Sequence, residues 1–295
     1  MTISVPSLIA VCIMVGVPFF AYARRIMMTF ALITANFLVF FISSLYHVAF
    51  FELGFQPVYL SDGKILSWYT LVTSMFVHAN LPHILGNMLV LFFVGLAFEQ
   101  RIGSKRFLII YLITGICGAI TFSVVNLEAK TLLVGASGAI FGILGTFAAA
   151  YPRDEVVIPI PIGIMFITRV RVITAAIVFA LFETLMFFFN KYVPDDTAHF
   201  AHLGGLVSGM ILAMLLIKKE QRYTTVDYLD AVNLETLAET PEQHEMVERI
   251  KNERIPEVRR LWVARFMETV RCPRCGGSLD FTKKGVVCRN CGFRG

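Results

Sequence analysis

Charge is what this sequence has least of. Asp, Glu, Lys and Arg make up 16% of its 295 residues while hydrophobic residues make up 57%, against about 25% and 45–50% in average soluble domains. A wholly soluble globular protein is thereby excluded. The scarcity is uneven, since residues 1–217 hold 20 charged side chains and the last 78 hold 27. A membrane domain followed by a soluble tail is the simplest arrangement with that distribution. A basic block is also missing. The net charge of +5 is spread over both parts, so nucleic acid is not implied as a partner. Nor do the cysteines form a disulfide framework. Cys12 and Cys117 sit alone in apolar runs as inert packing residues, and the other four crowd into the final 24 positions.

Apolar runs long enough, or nearly so, to cross a bilayer as helices occur at about 4–22, 26–49, 74–97, 105–126, 137–151, 171–190 and 199–217. The fifth is short, which means a tilted helix or one that begins below the membrane surface. Val156 to Ile167 is apolar but carries Pro159, Pro161 and Gly163. Proline removes a donor and clashes with the preceding turn, so an extended loop against the membrane face is expected there. With alternating spans, Arg24, Arg25, Arg101, Lys105, Arg106, Arg153, Arg169 and Arg171 fall on one side. Lys64, Lys130 and Lys191 fall on the other, and Lys218, Lys219 and Arg222 extend the first group. The bias expects the N-terminus outside and the C-terminus in the cytoplasm, in the cell membrane. Ala21-Tyr22-Ala23 has the form of a signal cleavage site. However, no Lys or Arg precedes the first apolar run and Arg24-Arg25 follows it, which fits a retained span.

Ionisable and amide side chains inside spans are expensive and therefore functional candidates. The third span carries His78, His83 and Asn87. His83 and Asn87 are four apart, on one helix face, and Pro82 suits a first helical turn. Taken singly, either is more simply a core polar group bonded to a neighbouring helix. The fifth span opens with Gly135-Ala136-Ser137-Gly138, whose glycines leave Ser137 uncovered, and Gly138-x3-Gly142 adds a small-residue groove. A lone serine in such a helix is usually structural. The last span places His202, Gly205 and Gly209 on one face. Two facing glycine grooves let helices approach closely, close enough to set His202 against Ser137. A serine oxygen bonded to a neutral imidazole is the minimal activated nucleophile. His83, Asn87 and the Ser137 backbone N–H are then donors for a developing oxyanion. All four residues lie at the outer ends of their spans.

These residues resemble the rhomboid intramembrane serine proteases over about 26–217. The likeness rests on His78-x4-His83-x3-Asn87, on Gly135-Ala136-Ser137-Gly138, on Ala201-His202-Leu203-Gly204-Gly205 and on Glu99-x3-Gly103-Ser104. The resemblance implies an all-α polytopic fold, a six-helix core with one extra N-terminal helix. It implies a catalytic pair of Ser137 and His202 without an acidic third member; Asp195 and Asp196 are not assigned that role. His83 and Asn87 map to the oxyanion-hole positions, His78 to a supporting place, and Phe141 to the ring that packs on the catalytic histidine. It further implies a water-filled cavity open to the outside and single-pass membrane proteins as substrates, within membrane lipid. Where the family often has Trp-Arg before the first histidine, this chain reads Tyr69-Thr70, with Trp68 shifted by one. Glu183, mid-span, is expected to pair with a helix neighbour or face a wet cavity; His199, one turn before His202, could shape the pair, though a surface place is the simpler expectation. His47 is expected at a solvated span end, and His244 carries no signal. One alternative is a catalytically silent member that binds membrane helices for quality control. A transporter lined by His78, His83, Asn87 and Glu183 is the other.

The tail divides further. Residues 1–25 read as the extra helix, 26–217 as the core, 218–270 as a charged helical linker and 271–295 as a zinc ribbon. In the linker Val258, Leu261, Trp262, Arg265 and Phe266 share a helical face, with breaks at Pro241 and Pro256. Cys272-x2-Cys275 and Cys288-x2-Cys291, each followed by glycine, have the spacing of a closed tetrahedral zinc site. Metal binding would supply the folding energy of so small a unit. Four cysteines leave no open position, so this zinc is structural and the expected chemistry needs no catalytic cofactor. Structural stapling is the simplest role for the ribbon; protein binding and nucleic-acid contact are both open to it, and a cytoplasmic protein partner is the interaction expected here.

Overall fold

The computed structural model describes residues 3–162, 164–189, 198–217, 234–253, 256–282 and 285–294. Gly163, Lys191, Asp195, Asp196, Lys218, Lys219 and Arg222 lie outside the described residues. The chain divides into two compact units, Met1–Lys218 and Lys219–Gly295.

The first unit is a helical bundle. Its helices are α1 (Val5–Ala23), α2 (Met28–Leu45), α3 (Leu81–Ile102), α4 (Ser104–Val125), α5 (Ser137–Ala150), α6 (Val172–Phe189) and α7 (His199–Leu216). Five of these are long and apolar enough to cross a membrane, while α5 and α6 are shorter apolar helices of the same unit. Many large apolar side chains face outward, although the core also holds large ones such as Phe98, Phe107 and Tyr111. On α1 the buried stripe is Ser7, Ala10, Met14, Pro18 and Ala21, while Val15, Phe19 and Phe20 are exposed. Val124, Leu181 and Met214 likewise face out, the pattern of helices whose outer faces meet lipid rather than water. The all-α polytopic architecture is as the sequence predicts, and the chain is an integral membrane protein.

Between α2 and α3 the chain passes through short helical turns anchored by backbone acceptors. Tyr69 Oη donates to the Glu52 carbonyl at 2.9 Å and Thr73 Oγ1 to the Leu53 carbonyl at 2.7 Å. Phe55 and Leu133 exchange backbone hydrogen bonds, tying this segment to the one leading into α5. Thus Tyr69, at the place where the resemblance expects tryptophan, fastens the loop through its hydroxyl. Glu99 does the same at the opposite end of the bundle. Its buried carboxylate accepts from the Met28 and Thr29 N–H groups at 2.5 and 2.7 Å and from Ser104 Oγ at 2.5 Å. A negative charge at the start of α2 satisfies donors that the helix itself leaves open.

One expectation is corrected. Residues 155–171 form an antiparallel hairpin, β1 (Glu155–Ile162) and β2 (Ile164–Arg171), with Glu155 opposite Arg171. Proline excludes a helix interior but not a two-stranded ribbon. Each strand of a hairpin has an outer edge needing no donor.

The second unit holds α8 (Pro241–Asn252), α9 (Pro256–Thr269), β3 (Leu279–Thr282) and β4 (Gly285–Cys288). Both helices begin at a proline, and Thr240 with Gln243 makes a capping box on α8. Val247, Ile250, Val263, Phe266 and Val270 share one core with Cys272, Leu279, Val286 and Cys288. The helices of the expected linker and the ribbon therefore pack as one body. The expected face of α9 is also shifted: Leu261 is 71% exposed and Arg265 is exposed. Phe266 is buried as expected and Trp262 packs against the core, but the buried stripe takes in Val263 rather than Leu261, because the ribbon covers that side.

Candidate active site

Three helix starts converge. The Asn80 side chain caps α3 by accepting from the His83 N–H at 2.9 Å, with Pro82 in the first turn. This fixes the ring of His83 and, one turn on, the amide of Asn87, whose Nδ2 donates to the His83 carbonyl at 3.1 Å. Ser137 is the first residue of α5, where backbone N–H groups have no intrahelical acceptor. Just before it, Gly135 holds φ +120°, and a β-carbon there would stand 2.7 Å from His83 Nε2 and 3.8 Å from Asn87 Nδ2. Any other residue at 135 would be strained and would collide with the His83 ring. The Gly135 N–H donates to the Ser74 carbonyl at 2.9 Å. That of Ala136 reaches His78 Nε2 at 3.4 Å. His78 is thus buried beneath the turn and stacks edge-on with His83 at 5.0 Å.

Helices α5 and α7 meet through their glycines. A β-carbon on Gly205 would lie 2.0 Å from the Gly138 carbonyl oxygen, so only glycine fits. Gly209 bears the same relation to Gly142. This close crossing sets His202 Nε2 2.7 Å from Ser137 Oγ. The Phe141 ring lies flat on the imidazole, with centroids 4.6 Å apart and planes 2° from parallel. Phe141 is one turn after Ser137, so a single helix carries both the hydroxyl and the ring that holds its partner. Ser137, His83, Asn87, Gly135, Phe141 and His202 all line a cavity of about 990 Å³. An uncharged hydroxyl bonded to an imidazole beside two side-chain donors can take up an acyl group and hold a tetrahedral oxyanion.

One side chain departs from the simplest expectation: His199 on α7 is 5% exposed and does not lie at the surface. Glu183 on α6, also 5% exposed, pairs with a helix neighbour, one of the two places expected for it. Glu183 Oε2 accepts from His199 Nδ1 at 2.6 Å and lies 3.0 Å from His202 Nδ1. The second contact is close in distance but falls off the line of the ring N–H, and His202 Nδ1 has no hydrogen bond of good angle. It is a short polar contact without hydrogen-bond alignment, beside a true hydrogen bond. The available signal was the spacing of His199 and His202, three apart on one helix face, next to a mid-span carboxylate with no cation on its own helix. His47 is exposed, as expected of a span end, and His244 is exposed too.

In the tail unit, the sulfur atoms of Cys272, Cys275, Cys288 and Cys291 all lie within 4.8 Å of one another. Cys272 and Cys291 are 3.6 Å apart, and Cys275 and Cys288 3.5 Å. A tetrahedron of thiolates at about 2.3 Å from zinc has edges of about 3.8 Å, so this cluster has the dimensions to bind a metal ion.

The rhomboid domain family model matches residues 66–219. The chain is 34% identical over 157 residues to the Bacillus subtilis (strain 168) protein YdcA, named provisionally as a rhomboid protease, covering 53% of this chain and 71% of that one. It is 35% identical over 151 residues to rhomboid protease GluP of the same organism, covering 50% and 26%. It is 32% identical over 157 residues to RHOMBOID-like protein 1 of Arabidopsis thaliana, covering 52% and 36%. The match thus spans well under half of the last two relatives. A family model over more than half the sequence, on a bundle of apolar helices, shows that this membrane protein belongs to the rhomboid family.

Proposed function

We propose that the protein is an intramembrane serine endopeptidase that cleaves transmembrane segments of single-pass membrane proteins. The observation that carries this is the 2.7 Å hydrogen bond between Ser137 Oγ and His202 Nε2, set in a cavity with the His83 and Asn87 side chains. Ser137 Oγ attacks the scissile carbonyl carbon as its proton passes to His202 Nε2. The carbonyl π pair moves to oxygen, and His83 Nε2–H, Asn87 Nδ2 and the Ser137 backbone N–H hold that charge. The proton then goes from Nε2 to the leaving amine as the C–N bond breaks, and water releases the acyl group by the reverse sequence.

Helix length supports access from one side. The 14 residues of α5 rise about 21 Å, short of the roughly 30 Å hydrocarbon core. A site at the start of α5 is then recessed below the surface opposite the Arg101, Lys105 and Arg106 end. With those cations in the cytoplasm, the active site opens outward, and both the ribbon and the C-terminus lie on the cytoplasmic side of the cell membrane. The four tail cysteines bind structural zinc, and the tail contacts a cytoplasmic protein.

The test is purified protein in liposomes with a single-pass substrate. Cleavage by the wild type that is absent from both Ser137→Ala and His202→Ala supports the protease. Equal behaviour of all three, in folded preparations, would favour a silent member that binds membrane helices.

A further inference from the structure

The resemblance leaves His202 with no acidic neighbour, but the described helices supply one. Glu183 is the single carboxylate of α6 and is buried where α6 meets α7. One of its oxygens, Oε2, serves two imidazoles: His199 Nδ1 at 2.6 Å and His202 Nδ1 at 3.0 Å. On the far nitrogen of His202 stands Ser137 Oγ at 2.7 Å. The four groups form a line from serine through imidazole and carboxylate to the second imidazole. Resting-state contacts of this kind are commonly misaligned and tighten when substrate binds, which accommodates the off-line angle at His202 Nδ1.

A neutral imidazole can carry its proton on either nitrogen, and only one tautomer can accept from serine. An anion beside Nδ1 favours the proton there, leaving Nε2 with its lone pair toward Ser137. It also favours the imidazolium once Nε2 has taken the serine proton. A buried carboxylate is costly unless hydrogen-bonded; the His199 bond supplies that and fixes which oxygen faces His202. Resting on the protease reading, we infer that Glu183 is a positioning residue for His202, and that His199 holds Glu183 in place. No proton passes to Glu183; it acts through charge and orientation.

The experiment compares steady-state cleavage and thermal stability of full-length wild type, Glu183→Gln, Glu183→Asp and Ser137→Ala in liposomes. Gln keeps the size and the acceptor for His199 but not the charge; Asp keeps the charge on a shorter arm. The expected result is a fall in kcat of about 10–100-fold for Glu183→Gln, the scale of losing a carboxylate that orients a functional histidine, at nearly unchanged KM and melting temperature, with Glu183→Asp retaining more activity than Gln. A Gln variant with wild-type kcat, or one more active than Asp, would overturn the inference by making the role one of packing. Should Glu183→Gln not fold, Glu183→Gln/His199→Gln replaces the pair with two amides that can bond each other. It must show the same loss of kcat, and wild-type kcat there overturns the inference. A wild type as inactive as Ser137→Ala defeats the protease reading and this inference together. An active wild type, an inactive Ser137→Ala and a wild-type-like Gln variant defeat the inference alone.

Discussion

Gly205 and Gly138 meet so closely that a β-carbon on the first would stand 2.0 Å from the carbonyl oxygen of the second. His202 lies three residues before Gly205 and Ser137 one before Gly138, so this backbone contact sets the distance between the hydroxyl and the imidazole. Gly205→Ala should force α5 and α7 apart. It should cost about 1–3 kcal/mol by overpacking and lower fluorophosphonate labelling of Ser137 by roughly 100-fold, the scale of a 1 Å misplacement. Gly16→Ala on α1, where a β-carbon meets nothing within 4 Å, should change neither. Normal labelling by a folded Gly205→Ala would refute the geometric argument.

The two donors on α3 face the turn before Ser137, not Ser137 Oγ itself. They should therefore matter when charge develops on the substrate oxygen and little before that. His83→Ala and Asn87→Ala are each expected to lower kcat by about 10²–10³-fold with KM changed little. Steady-state kinetics on a single substrate separates the two. A rise in KM at constant kcat would make them ground-state contacts instead.

How much of this was legible beforehand depends on the kind of signal. The starts of α3 and α5 were readable because Pro82 and the glycines around Ser137 act locally. The facing of α5 and α7 followed from matched glycine spacing. The hairpin at 155–171 was not readable from its prolines, which forbid a helix but leave a ribbon edge open. Glu183 had no partner in the sequence because the rotation of α6 about its own axis is set by packing, and only that rotation brings it to His199 and His202. Leu261 was misplaced for a related reason, since helical spacing offered two overlapping apolar stripes and the ribbon covers the one through Val263 and Phe266.

The N-terminal end of α1 is fastened through Glu52. Its Oε2 accepts from Ser4 Oγ at 2.7 Å, Ser7 Oγ at 2.6 Å and the Ser4 N–H at 3.1 Å. Burial pushes the Glu52 carboxyl up, but the bonds from Ser7 and Ser4 outweigh it and hold the group below its ordinary value of 4.5. A depressed folded-state value means that the tether is present above the ordinary carboxylate range and is lost as pH falls through the folded value. Hydrogen-exchange protection at residues 4–8, taken relative to the intrinsic rate at each pH, should fall on acidification below the ordinary carboxylate range in wild type, beyond the change seen in Glu52→Gln. Identical pH profiles for the two proteins would show that Glu52 is not the tether.

The tail unit has a small core that includes Cys272 and Cys288, with Cys291 packed against it. One zinc per chain is expected by elemental mass spectrometry. Chelation should unfold the unit, because binding energy for structural zinc is folding energy, about 10–16 kcal/mol in small zinc peptides. Trp262 packs against this core with the Arg249 guanidinium 5.2 Å from its ring centre, so its emission should shift to the red on chelation. Cys288→Ser should reproduce that shift without chelator. An unchanged spectrum with metal removed would mean that the helices and strands hold themselves.

The most direct measurement is labelling of the full-length protein with a fluorophosphonate, followed by peptide mapping. The serine–histidine account predicts one phosphonylated residue, Ser137, with labelling abolished in His202→Ala while that variant remains folded. Labelling at another serine, or undiminished labelling of Ser137 without His202, would contradict it.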